Sequence, residues 1–208
     1  MKEFLKRDFN TMSIMLIPIA VAINFIGGSL ALSLRLPIYL DTIGTILIGI
    51  LGGPWIGGVT GFLSIILKSL QDPVEMPFSL IAAAIGIIAG FLARGRMFSN
   101  IAKIIVSALL IAVVAVIASV LIRVIFFGGF ATSGTTVLIA SLMAAGIDFW
   151  PAQFIGQVVS ELPDKGISAF IPYWIIQNMS LRYIVKFPNG RILVEDLKKK
   201  QEKRKVNR

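Results

Sequence analysis

Cysteine and histidine are both missing from this 208-residue chain. Their absence excludes disulfide staples, thiolate and imidazole metal sites, Ser-His-Asp and Cys-His nucleophile sets, and the His-Glu-x-x-His chemistry of membrane metalloproteases. Charge is scarce as well: 15% of the residues are Asp, Glu, Lys or Arg, against 56% hydrophobic. With a mean hydropathy of +0.87 and several long apolar runs, the chain does not read as a soluble domain. No phosphate-binding Gly-Lys-Ser/Thr loop occurs, and the glycines fall at helix-packing spacing inside apolar runs. What remains is an all-α integral membrane protein with no catalytic set, no metal site and no cofactor site. The amino-terminal MKEFLKRDF reads as a retained cytoplasmic lead, because no small-residue cleavage pattern follows the first apolar run.

Six transmembrane helices are expected. The first covers residues 11–34, long enough to cross a hydrocarbon core about 30 Å thick. Pro18, Ala20, Ala22, Gly27, Gly28 and Ala31 make one of its sides narrow, suited either to packing inside the chain or to docking another subunit. Residues 33–77 read as two short helices broken at Gly52-Gly53-Pro54, since proline opens a helix better than it continues one. A fourth helix spans residues 78–93 and a fifth spans 101–127, with Arg123 near its far end. The apolar pieces 136–145 and 149–162 are shorter than a normal span and are expected within or over the outer leaflet. Pro163 is expected to start the last helix, which runs to about residue 180.

Basic residues fix the orientation. Sixteen of the twenty Lys and Arg lie in segments that are cytoplasmic if the amino terminus is inside, and ten of them follow residue 181. Residues 1–182 thus form a single six-helix membrane domain with both termini cytoplasmic, and residues 183–208 form a basic cytoplasmic tail that meets anionic lipid headgroups, not nucleic acid. On the same count Asp41, Asp72, Glu75, Asp148, Glu161 and Asp164 fall on the outer side.

Polar groups at membrane depth are costly and mark functional sites. The candidate substrate-binding residues are Asp41, Lys68, Asp72, Asp148, Trp150, Gln153, Gln157, Asp164, Lys165 and Trp174. Lys165 offers a cation near a helix start, Gln153 and Gln157 share a helical face, and Trp150 and Trp174 offer faces for a planar ring. Asp164 and Lys165, adjacent on a helix, point about 100° apart and are expected to need different partners. Together the set suits a small polar heterocycle better than an ion or a lipid. A purely structural outer lid is the plainer reading of the same residues.

Three stretches carry a family resemblance: LPIYLDTIGTILIGILGGPWIGGVTGF, PFSLIAAAIGIIAGFLAR and ELPDKGISAFIPYWII. They resemble helices of the substrate-capture S components of energy-coupling factor (ECF) transporters, the bacterial vitamin importers. Riboflavin-type members open helix 6 with Pro-x-Asn-x-x-Lys-Gly; Lys165-Gly166 is similar, while Leu162 stands at the asparagine position and Pro163 is displaced. The resemblance implies an S-component-like bundle in the bacterial cell membrane that binds a vitamin or vitamin precursor. It implies a transmembrane coupling subunit and two ATP-binding subunits as partners, with transport by toppling of the whole subunit. The family's Ala-x-x-x-Ala docking motif on helix 1 has no direct counterpart; the four-spaced pairs are Pro18/Ala22, Asn24/Gly28 and Gly27/Ala31. Pyridoxine-like, pyrimidine, pantothenate-like and cobalamin-precursor ligands all stay open. The rival reading is a stand-alone small-molecule facilitator or channel.

Overall fold

The computed structural model describes residues 7–206, and no strand occurs among them. The first long helix, α1 (Thr11–Ser33), is capped by Asn10, whose Oδ1 accepts the Ser13 N–H at 2.8 Å. Its buried side is Ser13, Ala20, Asn24, Gly28 and Ala31, spaced by seven, four, four and three residues and so on one face. Two short helices follow, α2 (Ile43–Gly52) and α3 (Pro54–Lys68), and α1 packs on both. The turn between them is a single residue, Gly53, at φ +106°, a backbone conformation that favours glycine. Pro54 then occupies the first helical turn, where its missing N–H costs nothing. The expected break is therefore found where the local chemistry puts it.

A two-turn 3₁₀ segment (Pro73–Phe78) leads into α4 (Ser79–Arg94), which packs most closely on α3. At their crossing a Cβ on Gly57 would lie 2.6 Å from the Gly86 carbonyl oxygen and 2.8 Å from the Gly49 Cα, so the three backbones meet only because all are glycine. α5 (Ile101–Phe127) is capped by Asn100 and ends at Gly128 in the left-handed conformation. Its buried stripe runs from Ile104 through Ala108, Ala112, Ala115 and Ser119 to Arg123.

Helix α6 (Gly134–Ala144) turns back into α7 (Phe149–Asn178), and here the sequence expectation is corrected. Residues 149–162 and 163–178 are one helix of 30 residues, about 45 Å long, and Pro163 lies inside it. The reason is visible along the helix. Ala152, Gly156, Ser160, Asp164, Ser168 and Pro172 are all buried at four-residue spacing, each with its following neighbour, whereas Leu162 and Pro163 point outward. Four residues are slightly more than a turn, so the buried stripe creeps around the axis by about 40° a step. It meets α6, α5 and α2. Continuous burial on both sides of residue 163 outweighs the single backbone bond that proline removes, and helices in apolar surroundings tolerate proline for this reason.

At one end of the bundle the buried Asp8 carboxylate pairs with Arg94, whose Nε also donates to Asn189 Oδ1 at 3.4 Å. Asn189 reaches into the bundle, donating from Nδ2 to the Ile50 carbonyl at 3.0 Å. The chain after residue 183 is accordingly packed on the helices as far as Leu197, through α8 (Leu181–Ile184) and the first half of α9 (Gly190–Val206). Ile184, Phe187, Leu193 and Leu197 belong to the same apolar core as Ile46, Ile85, Ile111 and Tyr173. Three stretches, Thr11–Ser33, Pro73–Arg94 and Ile101–Phe127, are long and apolar enough to cross a membrane, and Ile43–Gly52, Pro54–Lys68 and Gly134–Ala144 are shorter apolar helices.

Candidate functional site

At the opposite end from Asn189, the connection between α1 and α2 folds over the bundle. Its residues Arg35 and Leu40 have φ of 51° and 53°, a left-handed conformation that side chains rarely adopt and that persists only where surroundings enforce it. Asp164 is the enforcing group at Leu40. Its Oδ1 accepts the backbone N–H of Tyr39 at 3.0 Å and of Leu40 at 2.6 Å. The Tyr39 hydroxyl then donates to Gln157 Oε1 at 3.2 Å and lies 3.0 Å from Thr135 Oγ1. Burial pushes the Tyr39 phenol above its ordinary pKa, so it stays neutral.

Two ion-pair clusters sit beneath this connection. Lys68 from α3 lies 3.0 Å from Asp41 and 3.2 Å from Glu75. Lys165 from α7 lies 2.9 Å from Glu161, one turn away, and pairs with Asp164 at 2.5 Å. The expectation that Asp164 and Lys165 cannot serve each other is thus corrected: the long lysine side chain curls back along the helix to its neighbour. Glu161 also accepts from the Ser119 hydroxyl of α5 at 3.1 Å. Burial would raise the Asp41 carboxyl, but the ammonium groups of Lys68 and Lys165 outweigh it and hold the group below its ordinary value.

These groups surround a cavity with about 530 Å³ of atom-free space, including the part open to the outside. Tyr39, Asp41, Glu75, Glu161, Lys165, Ser119, Arg123 and Ser133 supply its polar lining, and Ile65, Phe78, Ile81 and Ile85 its apolar floor. The stacked rings of Phe78 and Phe127, 6.1 Å apart, tie the 3₁₀ segment to the top of α5. The lining is richer in polar side chains than the usual small-molecule pocket, with its charged groups converging over an apolar floor.

The sequence candidates divide into four groups. Asp41 and Lys165 line this cavity, and Lys68 lines a smaller one beside it between α1 and residues 36–39. Asp164 and Gln157 stand one layer behind, holding Tyr39 and Leu40 in position. Gln153 donates to the Gly129 carbonyl at 3.1 Å, and Asp72 caps the 3₁₀ segment by accepting the Val74 N–H at 3.1 Å. Asp148, Trp150 and Trp174 are away from the cavity; the two tryptophans are 52% and 62% exposed on the outer surface of α7, so neither can stack on a molecule held inside. On α1, Ala20, Gly28 and Ala31 face inward and Gly27 lies against the residue 40 carbonyl, whereas Pro18 and Ala22 are exposed. The small face is mainly an internal packing face.

Glu75, Glu161, Tyr39, Ser119 and Arg123 complete the site without having been among the candidates. Arg123 carried a signal in the sequence, being one of two cations in a strongly apolar 27-residue helix and, unlike Lys103, not in its first turn. Tyr39 carried none. Comparison with protein-family models, curated proteins and solved structures finds no match for this chain.

Proposed function

We propose that the protein is a membrane-embedded capture subunit for a small vitamin-like molecule, of the S-component type of ECF importers. One observation carries the reading: two buried ion-pair clusters, joined to a strained loop, surround a cavity at one end of an apolar helical bundle. A lid held by the bundle's own charges fits capture and release better than it fits a continuous pore. In this reading α1, α2, α3, α4, α5 and α7 are the six spans, both termini are cytoplasmic, and the cavity opens outward from the bacterial cell membrane. Asp8, Arg94 and Asn189 meeting at one end supports common sidedness of the termini, and the basic-residue count supports the cytoplasmic side. Energy for uptake then comes from a transmembrane coupling subunit and two ATP-binding subunits.

Reconstitution tests the reading. Proteoliposomes with this chain alone are expected to bind a co-purifying small molecule, identified by native mass spectrometry, without accumulating it. Accumulation is expected only when coupling subunits and ATP are supplied. Equilibration of that molecule across the bilayer by the chain alone would replace the proposal with the facilitator reading.

A further inference from the structure

The charges around the cavity are unequally matched. Two ammonium groups serve four carboxylates, Lys68 with Asp41 and Glu75, Lys165 with Glu161 and Asp164. The third cation, Arg123, is 1% exposed, lines the same cavity and has no carboxylate partner among the described residues. Its Nη2 donates to the Ser133 hydroxyl at 2.5 Å and its Nη1 to the Thr136 hydroxyl at 3.3 Å, both neutral acceptors, and its buried Nε has no partner. A buried guanidinium held only by hydroxyls bears a large desolvation cost, and its planar fork matches a carboxylate or phosphate. Close by, Glu75 and Glu161 each share an ammonium with a second carboxyl group, so on that wall the acceptor oxygens outnumber the cations that serve them.

We propose that the cavity takes a small zwitterion, with its anionic group on Arg123 and its cationic nitrogen against Glu75 and Glu161. This rests on the capture reading above and narrows it to a substrate class. The plainer account makes Arg123 a strut that ties α5 to residues 133–136; a strut has no influence on which ligand charges are accepted.

The test uses full-length protein in lipid nanodiscs. It is titrated with β-alanine, γ-aminobutyrate and ε-aminocaproate, and with alkanoates and alkylammonium ions of matching length, at constant ionic strength. Thermal unfolding and binding heat are recorded. At least one amino acid is expected to bind about tenfold tighter than either singly charged analogue. Arg123→Gln is expected to erase that advantage and Arg123→Lys to keep part of it. An alkylammonium equal to its amino acid overturns the anionic pole, and an equal alkanoate overturns the cationic pole. The wild-type comparison decides the matter even where Arg123→Gln does not fold. A silent series, with a neutral or singly charged molecule released from the native protein, overturns the zwitterion and leaves capture standing. A silent series with no released molecule removes both.

Discussion

Lys165 is the residue on which most of the site's charge balance turns. It is buried, its ammonium touches two carboxylates, and a third lies near enough to feel it. Removing one member of a buried ion pair leaves an uncompensated charge, a loss of about 3–5 kcal/mol in known cases. Lys165→Met is therefore expected to lower the thermal midpoint sharply, and adding Glu161→Gln to it should recover part of the loss. An unchanged midpoint in Lys165→Met would mean that the cluster is solvated and not buried. Lys165 was legible in the sequence because a charge within an apolar stretch is conspicuous. The tryptophans misled for a related reason: the sequence shows that an aromatic ring is present but not which way its helix is turned. That angle is fixed by α5 and α6 packing on the opposite side of α7, which is tertiary information.

Among the elements, α7 is where local rules and the folded chain part company. Proline inside a helix costs about 3 kcal/mol relative to alanine where water can take up the freed carbonyl. That rule led to a break at residue 163, yet a buried stripe at four-residue spacing runs straight through it. Pro163→Ala is consequently expected to raise the unfolding free energy by about 1–3 kcal/mol, because it restores a backbone bond on the outward face without disturbing the packed one. A fall in stability would indicate that residue 163 does begin a helix in the membrane. By contrast, the break at Gly53-Pro54 was legible because its cause lies within two residues. Both residues dictate their own φ, and no distant partner is needed. The ends of α1, α4 and α5 fall within a residue of the sequence expectation, and the structure shows Asn10 and Asn100 capping α1 and α5.

For the whole molecule, charge does what hydropathy does not. Three helices are unambiguous by length and apolarity, while α2, α3 and α6 are short and α7 is interrupted by ionisable groups. Length and apolarity do not place those four, which is why composition bears on the class of protein and not on the depth of each helix. The sidedness is directly measurable, since the chain carries no cysteine that would confuse a label. Leu70→Cys, at a position 79% exposed beside the cavity end, is expected to react with a membrane-impermeant maleimide in intact cells. Gln201→Cys, in the helix at the other end, is expected to react only after permeabilisation. The reverse pattern would invert the topology, and labelling of both in intact cells would exclude any transverse arrangement.

Asp164 belongs to two assemblies at once, the lysine cluster and the turn at Tyr39 and Leu40. Lifting that turn takes two N–H donors away from a fully buried carboxylate and returns Leu40 from its left-handed conformation in the same movement. The carboxylate is then left to a lysine already claimed by Glu161. The connection over the cavity is thus held at two points, the Asp164 Oδ1 that takes both N–H groups and the Tyr39 hydroxyl on Gln157, and the first cannot be given up without uncovering a buried carboxylate. One carboxylate therefore ties the seating of that turn to the pairing of Lys165.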